Sequence, residues 1–342
     1  LKILLSKLTK YILGISCFYH DSAATLIKDG EIIAAAQEER FSRKKHDDRF
    51  PNKAIIYCLK SQNINLENID LINYYENPFL KFSRLINTYL AIAPQGLEAF
   101  IAAAKVWLKG KLLIKAIIRR NLKHINLNNK KKFKLPKIIF SKHHLSHAAS
   151  AFFPSPFKES IVLCMDGVGE WTTTSAWIGR SNKLRKLWEI RFPHSLGLLY
   201  STFTYYCGFK VNSGEYKLMG LAPYGEPKYV SKIKDNLISI KDDGTFKLDM
   251  SYFKYHRGFT MTSNKFHTLF GRMPRKSGEK ISQFDMDLAA SIQLVTEEIV
   301  IKLSNSLKEE TGIRNICLAG GVALNCVSNG KLLRAGIFDD IY

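Results

Sequence analysis

Between Ala99 and Lys158 the chain has neither aspartate nor glutamate. That window holds Lys105, Lys109, Lys111, Lys115, Arg119, Arg120, Lys123, the run Lys130 to Lys132, Lys134, Lys137, Lys142 and Lys158. A large share of the net charge of +21 is thus held in one window. Trp107, Leu112, Leu113, Ile114, Ile117 and Ile118 are threaded between the cations. A basic amphipathic stretch of this kind suits an anionic membrane surface or an anionic glycan. The simpler account is the solvated face of a helical insertion. Nucleic acid is the usual partner of such charge, but no recognised nucleic-acid motif accompanies it, so no specific nucleic-acid partner is expected.

Other absences narrow the class. The six cysteines, Cys17, Cys58, Cys164, Cys207, Cys317 and Cys326, include no CxxC pair. Several lie in apolar runs, which reads as buried free thiols in a reducing compartment and excludes a disulfide frame. No apolar run is long enough to span a bilayer, and Leu1 to Leu13 is short, carries lysines and lacks a cleavage site. A soluble, cytoplasmic protein is expected. There is no short-period repeat. At 342 residues with 46% hydrophobic content, the chain should build a real core in about two domains.

What is present is a pattern that occurs twice. Tyr11 to Cys17, Ser22 to Ile27 and Glu31 to Ala36 read as strands, with Asp29-Gly30 as a tight turn. Ser160 to Met165, Thr173 to Ile178 and Leu184 to Ile190 read as a second set. Each set has a short polar turn after its first strand, His20-Asp21 and Asp166-Gly167. A helix follows Pro51, and Ile69 to Tyr75 reads as a further strand. Helices are predicted over Pro78 to Ala91 and Leu97 to Lys123, with a polar basic loop from Asn126 to Lys134. Two similar halves of this kind describe the duplicated fold of sugar kinases, actin and the heat-shock chaperone. The expected fold is therefore α/β, a duplicated actin-like, sugar-kinase-like fold. Its first lobe spans 1–158, with a basic helical insertion at about 78–134, and its second spans 159–342.

Two segments carry candidate chemistry. Ser141-Lys142-His143-His144-Leu145-Ser146-His147-Ala148-Ala149 follows the strand-like run Lys137 to Phe140. His143 and His147 are four apart, so a helix puts them on one face, close enough to grip one ion. With Asp166 at the end of another apolar run they form a divalent-metal candidate. The bland account is a helix N-terminus with histidines by chance. Later, helical periodicity from Asp285 to Glu309 stops at Gly312, and the strand Ile316 to Ala319 runs into Gly320-Gly321 and a helix from about Ala323 to Leu333. A strand, a glycine pair and a helix N-terminus suit a phosphate or nucleotide cradle. Tight turns use the same glycines.

Together the motifs resemble the O-carbamoyltransferase family of nodulation and antibiotic-tailoring enzymes. They are Gly14-Ile15-Ser16-Cys17-Phe18-Tyr19-His20-Asp21-Ser22-Ala23-Ala24, the stretch Gln37 to Asp47, His143 to Ala148, Asp166 to Glu170, Gly214 to Gly225 and Gly320 to Cys326. The family's N-terminal domain is similar to the tRNA threonylcarbamoyl-transfer enzymes. The resemblance implies a carbamoyl-adenylate, made from carbamoyl phosphate and ATP, whose carbamoyl group passes to a hydroxyl of a sugar or glycoside. It implies His20 as the catalytic base, Phe18 and Lys45 as acceptor contacts, and His143, His147 and Asp166 as metal ligands, with iron or manganese the leading candidates. It implies a nucleotide held by Gly167, Gly169, Glu170, Trp171, Thr172, Glu215, Lys217, Gly320, Gly321, Val322 and Asn325. A family member should continue past Tyr342 with an acidic, glycine-rich segment bearing a last metal ligand, then an adenylate-forming domain. The chain is therefore expected to be truncated at its C-terminal end and to need that domain. Two other readings stay open: an inactive nucleotide- or glycan-binding remnant, and a threonylcarbamoyl-type tRNA-modifying enzyme.

Overall fold

In the computed structural model, residues 9–125 and 134–342 are described. The run Lys130 to Lys132 and most of the expected basic loop lie outside them. The strands are β1 (Tyr11–Ser16), β2 (Ala23–Lys28), β3 (Glu31–Gln37), β4 (Leu71–Tyr74), β5 (Lys137–Phe140), β6 (Glu159–Met165), β7 (Thr172–Arg180), β8 (Lys183–Arg191), β9 (Ile238–Ile240), β10 (Phe246–Leu248), β11 (Asn315–Ala319) and β12 (Asp340–Ile341). The helices are α1 (Glu39–Ser42), α2 (Asn52–Lys60), α3 (Pro78–Ile92), α4 (Leu97–Lys109), α5 (Ile114–Ile125), α6 (His143–Phe152), α7 (Leu196–Tyr206), α8 (Glu215–Leu221), α9 (Val230–Asn236), α10 (Asn264–Phe270), α11 (Gln283–Thr311) and α12 (Cys326–Arg334).

Two five-stranded sheets repeat one topology. The first has the order β3-β2-β1-β4-β5 and the second β8-β7-β6-β11-β12. In both, the first three strands in sequence pair antiparallel and the last two join parallel. This is the duplicated actin-like, sugar-kinase-like arrangement, with α3 to α5 inserted between β4 and β5. The central strands β1 and β6 are where strand order reverses, and ligands of open α/β sheets gather at the carboxyl ends of such strands.

Among the described residues, 9–82 with 104–125 and 134–143 pack as one unit, and 83–103 with 144–342 as a second. The core of the first is built on Leu13, Leu26, Ile55, Ile72, Ile118 and Leu122. The second is built on Phe203, Tyr206, Phe253, Phe266, Ile299 and Leu303. Cys17, Cys58, Cys164, Cys207 and Cys317 are buried and unbridged, while Cys326 is exposed. Burial pushes the Cys58 thiol up to about 11 and Cys207 up to about 12, which keeps them protonated.

Two sequence expectations need correction. The single helix over Leu97 to Lys123 is two helices, because Gly110 leaves helical geometry at φ −154° and a 3-10 turn follows at Lys111–Leu113. The helix after Gly320-Gly321 starts only at Cys326, since Gly321–Leu324 forms a 3-10 turn and Asn325 caps the α-helix proper. Pattern reading also passed over the α8 to α10 region and the small β9-β10 sheet. Helix α11 is found near its expected span, because both of its ends are encoded locally. Ser282 and Asp285 form a capping box, and Gly312 closes the helix at φ +66°.

Asp285 does more than cap. Its buried carboxylate also pairs with Arg272, whose guanidinium lies 4.5 Å from the Phe284 ring centre. Burial pushes this carboxyl up, but bonds from Arg272 and Ser282 outweigh it and the net shift is downward. A depressed folded value means the stability it supplies is complete above the unfolded value of 3.8 and is lost as pH falls through the folded one. Asp285→Asn is expected to lower stability at neutral pH by about 3 kcal/mol and to flatten the acid dependence below about pH 4. Denaturant midpoints measured across pH on both proteins check this.

Candidate functional site

The second sheet delivers Asp166 to the carboxyl end of β6. The buried run Ile161 to Met165 leads into it, and its N–H bonds Thr173 O at 2.8 Å. The turn closes with Gly169 N to Thr172 O at 3.0 Å. Helix α7 abuts it at its N-terminus. The Ser195 hydroxyl donates to Gly167 O at 2.6 Å and accepts from Leu198 N at 3.0 Å. A Cβ on Gly197 would lie 2.7 Å from Asp166 O, so only glycine lets the helix come this close. Gly320 is tighter still. It has φ +90°, and a Cβ there would stand 2.3 Å from Met165 O. This approach brings Gly321 N to 3.4 Å from Asp166 Oδ1. Gly167, Gly320, Gly321 and Asp166 therefore meet at one place.

The histidines join them through α6. His143, His147 and Asp166 each offer a ligand atom within 4.8 Å of the others. His147 Nε2 is 3.7 Å from Asp166 Oδ2, too long for a hydrogen bond and near the spacing of two ligands on one ion. The donor set, two imidazoles and a carboxylate, fits a transition metal. Glu76, just past β4, was missed in the sequence. Its Oε2 is 3.3 Å from His143 Nδ1, and Lys81 pairs with the same carboxylate. Burial pushes the Glu76 carboxyl up, yet His143 and Lys81 hold it below its ordinary value. Such a carboxylate fixes the ring orientation of a ligating histidine. The available signal was a lone acid at the carboxyl end of a parallel strand. His144, between the two, points to the core and bonds Ser175 Oγ at 2.8 Å.

The rest of the second-unit set is placed more loosely. Gly169 O accepts from Arg84 at 2.6 Å, Glu170 is buried, Phe192 N bonds Trp171 O, and Thr172 donates to Glu189 at 2.8 Å. Asn325 exchanges amide hydrogen bonds with Gln293 at 2.8 and 3.1 Å, and Gln293 continues to Glu297. Val322 is partly buried against the core. Glu215 accepts from Ser201 and from Asn212 N, whereas Lys217 lies over the Tyr216 ring.

In the first unit, His20 sits in the turn after β1. Its Nδ1 is 2.9 Å from Asp21 Oδ2, and the Tyr19 ring lies 4.5 Å away. Phe18 packs near Phe50, and both line a cavity of about 790 Å³ with Arg49, Lys53, Arg120 and Asn121. Lys45 is exposed on the loop beside His46.

A family model described as carbamoyltransferase N-terminus matches residues 11–342. An uncharacterized protein of Synechocystis is 61% identical over 333 residues, which is 97% of this chain and 54% of that protein. Nodulation protein NolNO of Sinorhizobium fredii is 34% identical over 325 residues, 95% of this chain and 44% of its own length. The chain thus spans about half the length of the curated relatives it matches. Among solved structures, full-length HypF in a phosphate- and nucleotide-bound form is similar at 13% identity and TM-score 0.47, over 97% of this chain and 52% of that one. Component A of Acidaminococcus fermentans (R)-2-hydroxyglutaryl-CoA dehydratase is similar at 16% identity and TM-score 0.43, over 97% and 92%. The family match covers nearly the whole chain, and the chain belongs to that family.

Gly320→Ala tests the close approach. It places a Cβ against a backbone carbonyl in a left-handed conformation, and a loss of about 1–3 kcal/mol is expected. A thermal melt matching the unmutated protein would contradict the tight turn.

Proposed function

We propose that this member of the carbamoyltransferase N-terminal family transfers a carbamoyl group from carbamoyl-adenylate to a hydroxyl of a sugar or glycoside. The observation that carries the reading is the convergence of His143, His147 and Asp166 beside the Gly320-Gly321 turn. His143, His147 and Asp166 would hold a divalent ion, iron or manganese, which supplies positive charge against developing negative charge when bound. Gly167, Gly169 to Thr172, Glu215, Lys217, Gly320, Gly321, Val322 and Asn325 would surround the nucleotide formed from ATP and carbamoyl phosphate. Phe18 and Lys45 would contact the acceptor. His20 would take the acceptor's hydroxyl proton as its oxygen bonds to the carbamoyl carbon. The bond from that carbon to the adenylate oxygen breaks, and AMP leaves with the electron pair.

No helix among the described residues is long and apolar enough to cross a membrane. The buried free thiols support a reducing, cytoplasmic setting. We further propose peripheral contact with an anionic membrane through α4. At 3.6 residues per turn, the exposed Leu97, Ile101 and Leu108 fall within about 40° on its surface, bordered by Lys105 and Lys109.

Two measurements test these readings. Metal analysis of untagged protein is expected to find about one transition-metal ion per chain, lost in His147→Ala. With ATP, carbamoyl phosphate and the C-terminal half of a full-length relative added, candidate saccharides should gain one carbamoyl group by mass. His20→Ala should slow this about 10²–10⁴-fold. Metal-free protein with undiminished transfer would overturn the metal assignment. For the membrane contact, co-sedimentation with vesicles rich in phosphatidylglycerol is expected at low salt, reduced by high salt and by Leu108→Glu. No sedimentation at low salt removes it.

A further inference from the structure

The turn that carries His20 is organised around one carboxylate. Asp21 Oδ2 lies 2.9 Å from His20 Nδ1, and Asp21 Oδ1 lies 2.9 Å from His46 Nδ1. A carboxylate only accepts, so the proton of each bond sits on the ring nitrogen. That assignment makes Nε2 of His20 the basic nitrogen.

We propose that Asp21 and His46 are positioning residues for His20, with Asp21 setting the tautomer and ring angle and His46 holding Asp21 in place. The inference rests on reading His20 as the base. His20 is 54% exposed at its side chain, so packing alone does not fix its ring. Among the described residues, one charge-assisted bond and the Tyr19 ring restrain it. Proton uptake at Nε2 would create an imidazolium, and Asp21 faces it with opposite charge. Burial pushes the Asp21 carboxyl up, but the two histidine bonds outweigh it and the net shift is downward, which keeps the group ionised.

His46 is itself held from the other side. Its N–H bonds Glu39 Oε2 at 3.0 Å. The loop behind it is clamped to the His20 turn by Phe18 N to Asp48 O and Ser22 N to Asp47 O, both 2.8 Å. Asp47 is buried and forked onto Arg49 at 2.8 and 2.6 Å. Phe18, Asp21 and His46 all have left-handed backbones, at φ +70°, +47° and +56°. Three non-glycine residues in that region are strained, and such strain persists only where surrounding bonds over-determine it. The cluster also ties Lys45, the neighbour of His46, to the turn bearing His20. Asp21, Glu39 and His46 have the proximity of cation ligands, but both carboxylates already accept from His46, Asp21 at the ring and Glu39 at the backbone N–H.

The test pairs spectroscopy with kinetics. Long-range proton–nitrogen NMR of the folded protein should show His20 with its proton on Nδ1, and Asp21→Asn should shift the tautomer mixture. In the transfer assay, Asp21→Asn should lower kcat about 10–100-fold with little change in acceptor KM. His46→Ala should lower kcat, and His46→Asn, whose amide N–H can replace Nδ1–H, should restore most of it. Thermal melts show that each variant is folded. An unchanged tautomer in Asp21→Asn, or His46→Asn no better than His46→Ala, overturns the proposal. If His20→Ala itself leaves turnover intact, the reading of His20 as base fails instead, whatever the tautomer result.

Discussion

Empty space at one backbone position holds the corner around Asp166 together. Any side chain at Gly320 would collide with the carbonyl oxygen of Met165, 2.3 Å from its Cβ. Because that space is open, the turn after β11 seats directly on the end of β6, and a backbone N–H approaches Asp166. Gly197 performs the same service for α7, since a Cβ there would fall 2.7 Å from Asp166 O. Helix α7 thus packs on the Asp166 backbone while Gly321 N approaches its carboxylate, and the histidines of α6 complete a group of three candidate donors.

The duplicated topology explains why the two polar turns occupy equivalent positions. In each sheet the strand that opens the repeat ends up beside both its antiparallel successor and a parallel strand from much later in the chain. The chain must leave such a strand at a crevice where strand order reverses. One copy puts His20 and Asp21 there, the other Asp166 and Gly167. Similar backbone routes thus carry different chemistry, an imidazole held by a carboxylate in one unit and a carboxylate beside imidazoles in the other. At two of these imidazoles a carboxylate does the holding. Asp21 bonds His20, and Glu76 bonds His143.

Much of this was legible beforehand, for reasons that differ by element. The paired meanders showed because antiparallel strands alternate or run apolar over short distances, with Asp29-Gly30 marking the turn. Helix α11 showed because its cap box and its terminal glycine are local signals. The break at Gly110 did not, because one glycine inside an apolar-basic periodic stretch leaves the period intact. Nor did the delayed start of α12, where a 3-10 turn keeps the same residue spacing for one turn before Asn325 caps the helix. Glu76, Gln293 and Ser195 were missed for a further reason. Each acts through a partner distant in sequence, and nothing around it repeats.

The sequence by itself determined the family, the repeated strand pattern and the three metal-ligand candidates, since those depend on residue type and short-range spacing. Only the tertiary structure decided which groups share a site. Parallel pairing of β11 with β6 brings residues about 155 positions apart into contact, Asp166 with Gly321. The return of the 43–48 loop to the β1 turn likewise joins His46 to Asp21, 25 positions away. Non-local hydrogen bonds and steric fit set those meetings, and neither is written in any local run of residues.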